Sequence, residues 1–287
     1  METGLHLTIE LMQLKKKTKT FGVNAGIKKL SIQFNLDGFS FYISNSDSDT
    51  PILYTEYSFP VSIATPELLL EKIIAIFSED KDLQQNFTSV MAIHQNNLFT
   101  MVPEELFDRN SLQNYLKYTV KTLATDYITY DFISPLQVNT VYIPYVNINN
   151  YIFQNFGEFE YHHHITVLIN KLQKQKEASK EVPTVYVNVS KKELDIIIFK
   201  NNTLRFSNSF TYQTKEDFIY YILFVAEQLH LNPEEFHLYF MGKIEPNSAL
   251  YEITYTFVRN VDFIQNTKVN FNENDPFSAH SNFILLA

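Results

Sequence analysis

Polar and apolar residues alternate along three short stretches, 30–34, 39–43 and 52–58, before the period changes. In the first, Leu30, Ile32 and Phe34 are interleaved with Ser31, Gln33 and Asn35, the period of two that gives a strand one buried face. Thr65 then offers a side-chain oxygen as a cap and Pro66 a fixed φ at the first helical position. The helix predicted from there buries Leu69, Ile73, Ile76 and Phe77, and a fourth strand ends near His94. The same order returns in the second half: strands over 185–189, 194–199 and 204–211, a helix opening at Thr214, and a strand over 236–241. Thr214-Lys215-Glu216-Asp217 resembles a capping box with Asp in the fourth place, and Phe218, Ile222, Val225, Ala226 and Leu229 form a helical stripe. One strand-strand-strand-helix-strand unit therefore occurs twice.

Between the copies the pattern predicts strands over 98–102, 128–133 and 138–145, and helices over 111–123, 147–156 and 165–175. Gly157 closes the second of these helices. The charged, unpatterned stretch 174–181 before Pro183 marks the boundary between a first lobe, 27–180, and a second, 181–287. A helix over 248–258 and a closing edge strand over 283–286 complete the second lobe. Residues 1–26 form a basic lead in which Leu5, Leu7 and Ile9 alternate. Its lysines 15, 16, 17 and 19 are read as a solvated arm, with an anion-binding patch as the other option. Asp37-Gly38 is read as a hairpin turn of type I′, which needs positive φ at both central positions.

Composition narrows the function. With 287 residues, 45% of them hydrophobic and 15% aromatic, the chain can build real cores. It has no cysteine, which removes disulfides, thiol catalysis and zinc–cysteine sites. No window approaches the roughly 18 apolar residues of a membrane span, so a cytoplasmic protein is expected. Three N-x-[ST] triplets, at Asn86, Asn188 and Asn201, are read as chance matches. A net charge of −9 opposes a general nucleic-acid binder.

The stretches 185–190, 195–200, 210–218 and 231–236 (Leu231-Asn232-Pro233-Glu234-Glu235-Phe236), with 142–150 and 30–44, resemble a bacterial family of unknown function whose fold is that of actin-like ATPases. The resemblance implies an α/β protein in which duplicated ribonuclease-H-like units form two lobes. It implies no activity. Actin-like ATPases hold phosphates in the turn between the first two strands of each lobe, using an aspartate with a following glycine-serine or glycine-threonine. Here the first turn offers Asp37 and Gly38 side by side, the second offers Ser190-Lys191-Lys192-Glu193, and the loop after the last strand keeps only Gly242. Six glycines in the chain cannot supply three phosphate loops, since close backbone approach tolerates little else. Asp37, Gly38 and Gly242 are the cofactor-binding candidates should ATP with magnesium bind, and neither is expected.

Other constellations are thinner. His162-His163-His164 could place two imidazoles on one strand face, but two alone bind a metal weakly, and a strand-to-helix junction with exposed histidines is expected. A ribonuclease-H-type nuclease needs carboxylates on central strands for two magnesium ions. The first strand offers Asn35 and the fourth His94. The sequence thus reads as a non-catalytic interaction or scaffolding module with degenerate nucleotide loops and an unidentified protein partner. A nucleotide-dependent ATPase or phosphotransferase is the alternative. An accessory protein contacting RNA or another anionic partner through the lysines is third.

Overall fold

The computed structural model describes residues 14–22, 26–175, 181–265, 269, 271 and 275–286. The first half runs β1 (Lys15–Thr20), β2 (Lys28–Asn35), β3 (Gly38–Asn45), β4 (Pro51–Ser58), α1 (Pro66–Glu79) and β5 (Ser89–His94). An insertion follows, with β6 (Phe99–Pro103), α2 (Leu112–Leu116), β7 (Thr129–Ile133) and β8 (Val138–Tyr142). The half then ends with α3 (Val146–Phe156), β9 (Glu160–His163) and α4 (His164–Leu172). The second half runs β10 (Thr184–Val189), β11 (Glu193–Lys200), β12 (Thr203–Thr211), α5 (Lys215–Gln228), β13 (His237–Gly242), α6 (Ala249–Phe257), β14 (Asn260–Phe263) and α7 (Phe283–Leu286).

The duplication is visible in the sheets. The first has strand order β1-β4-β3-β2-β5-β9 and the second β12-β11-β10-β13-β14, so five strands of each occupy matching places. In both, the first three strands of the unit are antiparallel and the last two pair parallel. The helices that return the chain to a parallel neighbour, α1 and α5, start where the caps predict. Thr65 accepts from the Leu68 N–H, and Thr214 with Asp217 closes a full capping box. The insertion makes a third, antiparallel sheet, β6-β8-β7.

Apolar faces decide the layers. Ile32, Phe34, Phe41 and Ile73 belong to one core beneath α1 and α3, and Val187, Ile196, Phe218 and Phe240 to another beneath α5 and α6. The opposite faces of the two main sheets share a third core. It joins Tyr54 and Ile93 to Tyr186, Ile197, Phe199 and Met241, with α4 and α7 packed between.

Several expectations change here. Residues 283–286 form a buried helical turn in this shared core, not an edge strand. The helix expected over 111–123 shrinks to Leu112–Leu116. The strand expected over 138–145 ends at Tyr142, where Tyr145 caps α3. The lysines at 15–19 are not a solvated arm: β1 pairs antiparallel with β4, Lys16 reaches Asp80 at 2.8 Å, and Lys19 pairs with Asp275. The alternating Leu5, Leu7 and Ile9 lie outside the described residues. His163 and His164 are buried at the β9–α4 junction rather than exposed. His162 faces Asp131 and His164 faces Asp195, so the two imidazoles do not share a site.

Asp37-Gly38 is not a left-handed turn. The central residues are Leu36 and Asp37, while Gly38 already starts β3 and none of the three has positive φ. Gly38 is needed for closeness instead: a Cβ there would lie 2.7 Å from the Tyr57 carbonyl oxygen. Among the described residues, a turn with two successive left-handed residues is Asn201-Asn202, with φ of 52° and 60°, between β11 and β12. Gly242, at φ +85°, closes β13 against β10, and a Cβ on it would lie 2.3 Å from the Val189 oxygen.

Gly242→Ala therefore combines backbone strain with a backbone clash and is expected to cost at least about 3 kcal/mol by denaturant unfolding. Gly38→Asn separates the two accounts of its turn. A left-handed site would accept asparagine almost freely, whereas the Tyr57 clash predicts a loss of about 1–3 kcal/mol.

His94 gives a pH dependence. The Tyr145 N–H donates to its Nδ1 at 3.0 Å, which leaves the proton on Nε2, facing Asn149 Oδ1 at 2.9 Å. Burial lowers its pKa to about 3. Below pH 6.5 the unfolded chain takes up a proton that the native state refuses. Stability is therefore full above pH 6.5 and falls towards pH 3, by at most about 1.4 kcal/mol per pH unit from this residue. Imidazole NMR resonances of His94 should stay in the neutral form at pH 5, while His162, raised by its hydrogen bond to Asp131, titrates above its ordinary value.

Candidate functional site: the cleft between the halves

The first hairpin of each half points its turn into one cleft between the two main sheets. Asp37 and Gly38 from the β2–β3 turn, Ser190 and Lys191 from the β10–β11 turn, and Gly242 from the end of β13 line the same cavity. The three candidates read from the sequence are thus brought together, although they lie up to 205 positions apart, 242 minus 37. The cavity is small, about 50 Å³.

Side chains from both halves fill the space between the turns. Gln95, just after β5, accepts hydrogen bonds from Gln33 Nε2 at 2.7 Å and Asn35 Nδ2 at 2.9 Å. Its own Nε2 donates across the cleft to Ser190 Oγ at 2.9 Å. The Lys191 ammonium donates to the Pro60 carbonyl at 3.0 Å, and Lys243 lies 3.6 Å from Glu56. Asp37 accepts from the Ser62 hydroxyl at 2.5 Å, and its own N–H is taken by Asn35 Oδ1 at 2.8 Å. One outer wall is the chain itself: Ser281, Asn282, Phe283 and Ile284 line the cavity, and the Asn282 amide meets the Tyr54 hydroxyl at 2.6 Å.

Below the second turn lies a buried contact, His164 Nε2 to Asp195 at 3.1 Å. Burial by itself would raise the Asp195 carboxyl. The His164 charge and hydrogen bonds from His164, Ser209 and Asn188 outweigh it and hold the pKa below its ordinary value. These three donors occupy the carboxylate. Glu193 has no such partners; burial first, and the Asp195 charge second, push its pKa up to about 7. Among the described residues, no group of three or more His, Asp or Glu is placed to hold a metal ion.

Sequence reasoning missed Gln95 and Asp195; it placed His164 in an exposed histidine run and Glu193 in the second turn, without the buried contacts each makes. One signal was available, because Asp195 interrupts the apolar run Leu194 to Phe199 and a buried carboxylate needs partners. Gln95 carried none, since a glutamine after a strand is an ordinary loop residue.

Comparison with solved structures places this architecture. A Bacteroides thetaiotaomicron protein of unknown function with the actin-like ATPase fold matches with a TM-score of 0.73 at 23% identity, over 85% of this chain and 94% of that one. The PilM–PilN type IV pilus biogenesis complex matches with a TM-score of 0.56 at 10% identity, over 84% of this chain and 89% of that one. At these identities the likeness shows the fold alone: the chain has the actin-like ATPase fold. No curated protein matches it in sequence. A family model does, over residues 18–261, and the chain belongs to that family, described as a protein of unknown function, DUF3822.

Proposed function

We propose that this protein is a non-catalytic interaction or scaffolding module, acting in the bacterial cytoplasm, whose nucleotide cleft has become a structural joint. One observation carries the reading. Where the fold would admit a nucleotide, Gln95, Ser190, Lys191 and the 281–284 segment leave a cavity of about 50 Å³. Pockets that hold ligands of that size measure roughly 300–1,000 Å³. The backbone supports it as well, because Asn35 takes the Asp37 N–H, a donor that a phosphate turn would turn toward its ligand. The PilM–PilN complex offers a precedent of assembly between proteins on this fold, and the partner here is a protein of unknown identity.

The second reading, a nucleotide-dependent ATPase or phosphotransferase, draws on Asp37, Gly38 and Gly242 sharing a cavity and on Glu193 lying near neutral pKa, as a proton-transfer group would. The third, an anion-binding accessory protein, is weakened because Lys16 and Lys19 are paired with Asp80 and Asp275.

Thermal unfolding with and without millimolar magnesium-ATP decides between the first two. A bound nucleotide at 100 times Kd would add about 2.7 kcal/mol, a rise of roughly 5–10 °C in a chain of this size. We expect no shift for the wild type and none for Asp37→Asn. An ATP-dependent shift that Asp37→Asn abolishes would replace the scaffold with the ATPase.

A further inference from the structure

The two halves differ at one matching place. In the first sheet the edge strand β4 is covered by β1, whereas among the described residues nothing pairs with the outer edge of its counterpart β12. Natural sheets blunt such edges with lysine or proline. β1, now the outer strand of its own sheet, carries four lysines, but β12 reads Thr-Leu-Arg-Phe-Ser-Asn-Ser-Phe-Thr, with a single charge at Arg205.

Its sequence is symmetric about Asn208: Ser207 mirrors Ser209, and Phe206 mirrors Phe210. The backbone has the matching parity. Asn208 pairs with Ile196 on β11, and four places away, an even number, the Tyr212 N–H donates inward to the Lys192 carbonyl. By alternation the N–H and C=O groups of Ser207 and Ser209 point outward, and the Ser209 N–H is met only by the exposed Asn208 Oδ1, at 2.9 Å. A second β12 laid antiparallel with Asn208 on the two-fold axis would put Ser207 opposite Ser209 of its copy, the hydrogen-bonded position, and Phe206 opposite Phe210.

The neighbouring surface suits the same partner. Phe206 stacks near Phe210 at 6.4 Å, Phe210 on Tyr221 at 4.7 Å, Tyr221 against Tyr220 at 5.4 Å, and Tyr220 on Phe224 at 5.8 Å. This aromatic run leads from the open edge onto the exposed face of α5, where Tyr220 is 59% and Phe224 41% exposed. Aromatic-rich, charge-poor surface of this kind is what interface centres use.

We infer that the occupant of this edge is a second copy of the chain, joined β12 to β12 about Asn208 into one continuous ten-stranded sheet. The inference does not depend on whether the cleft binds a nucleotide.

The test is the solution mass of the full chain by light scattering from micromolar to millimolar concentration. We expect a dimer of the 33.6 kDa chain. Asn208→Lys and Asn208→Asp, at an exposed position, each place like charges face to face and should weaken the dimer roughly tenfold or more, while an equimolar mixture restores it as a heterodimer. The chain lacks cysteine, so Asn208→Cys should also form an intermolecular disulfide on oxidation while Asn202→Cys, in the turn, does not. A monomer throughout that range, or a dimer indifferent to the charge at 208, overturns the proposal and leaves the edge to a strand of some other protein.

Discussion

Burial of the Phe283–Leu286 turn between the two sheets is the contact on which the rest of this molecule depends. All four side chains are buried, and removing each from water contributes about 1.5–3 kcal/mol. The Lys171 ammonium donates to the Ile284 carbonyl, so the short helix is also held at its backbone by α4. Because this turn lies against β2, β3 and α4, the inner faces of the two sheets share one core in place of facing a solvent-filled groove. The cleft is narrow for that reason, and what remains of it is bridged by side-chain amides, hydroxyls and lysines.

The buried pair of His164 and Asp195 works in the same direction. It fixes the start of α4 to β11 of the other half, and losing one side of such a buried hydrogen bond commonly costs about 1–3 kcal/mol because a buried polar atom is left unpaired. Polar links at the cleft mouth, from Gln95 to Ser190 and from Lys191 to Pro60, add geometry more than energy. Side chains of the protein thus link the two halves directly across the cleft.

The two sheets share one strand order and differ at their edges and in what is inserted between their strands. The first half acquired β1 along one edge and the three-stranded insertion between β5 and α3. The second kept an exposed, nearly uncharged edge and an aromatic helix face.

The sequence by itself determined the repeated unit, since strand alternation, the caps at Thr65 and Thr214 and the stop at Gly157 are local signals that the backbone obeys locally. It also singled out Asp37, Gly38 and Gly242, which the fold gathers around one cavity. Tertiary structure decided the rest. Four apolar residues at 283–286 satisfy a strand or a helix equally well, and only the shape of the inter-sheet core selects the helical turn. Four lysines read as a solvated arm until the fold sets them in β1, where Asp80 and Asp275 arrive from distant segments to pair with Lys16 and Lys19. Gly38 is required by the approach of Tyr57 on β4, the strand paired beside it, a contact no local pattern encodes. The closing of the cleft through Gln95 was illegible for the same reason: its meaning lies in a hydroxyl 95 residues further along the chain.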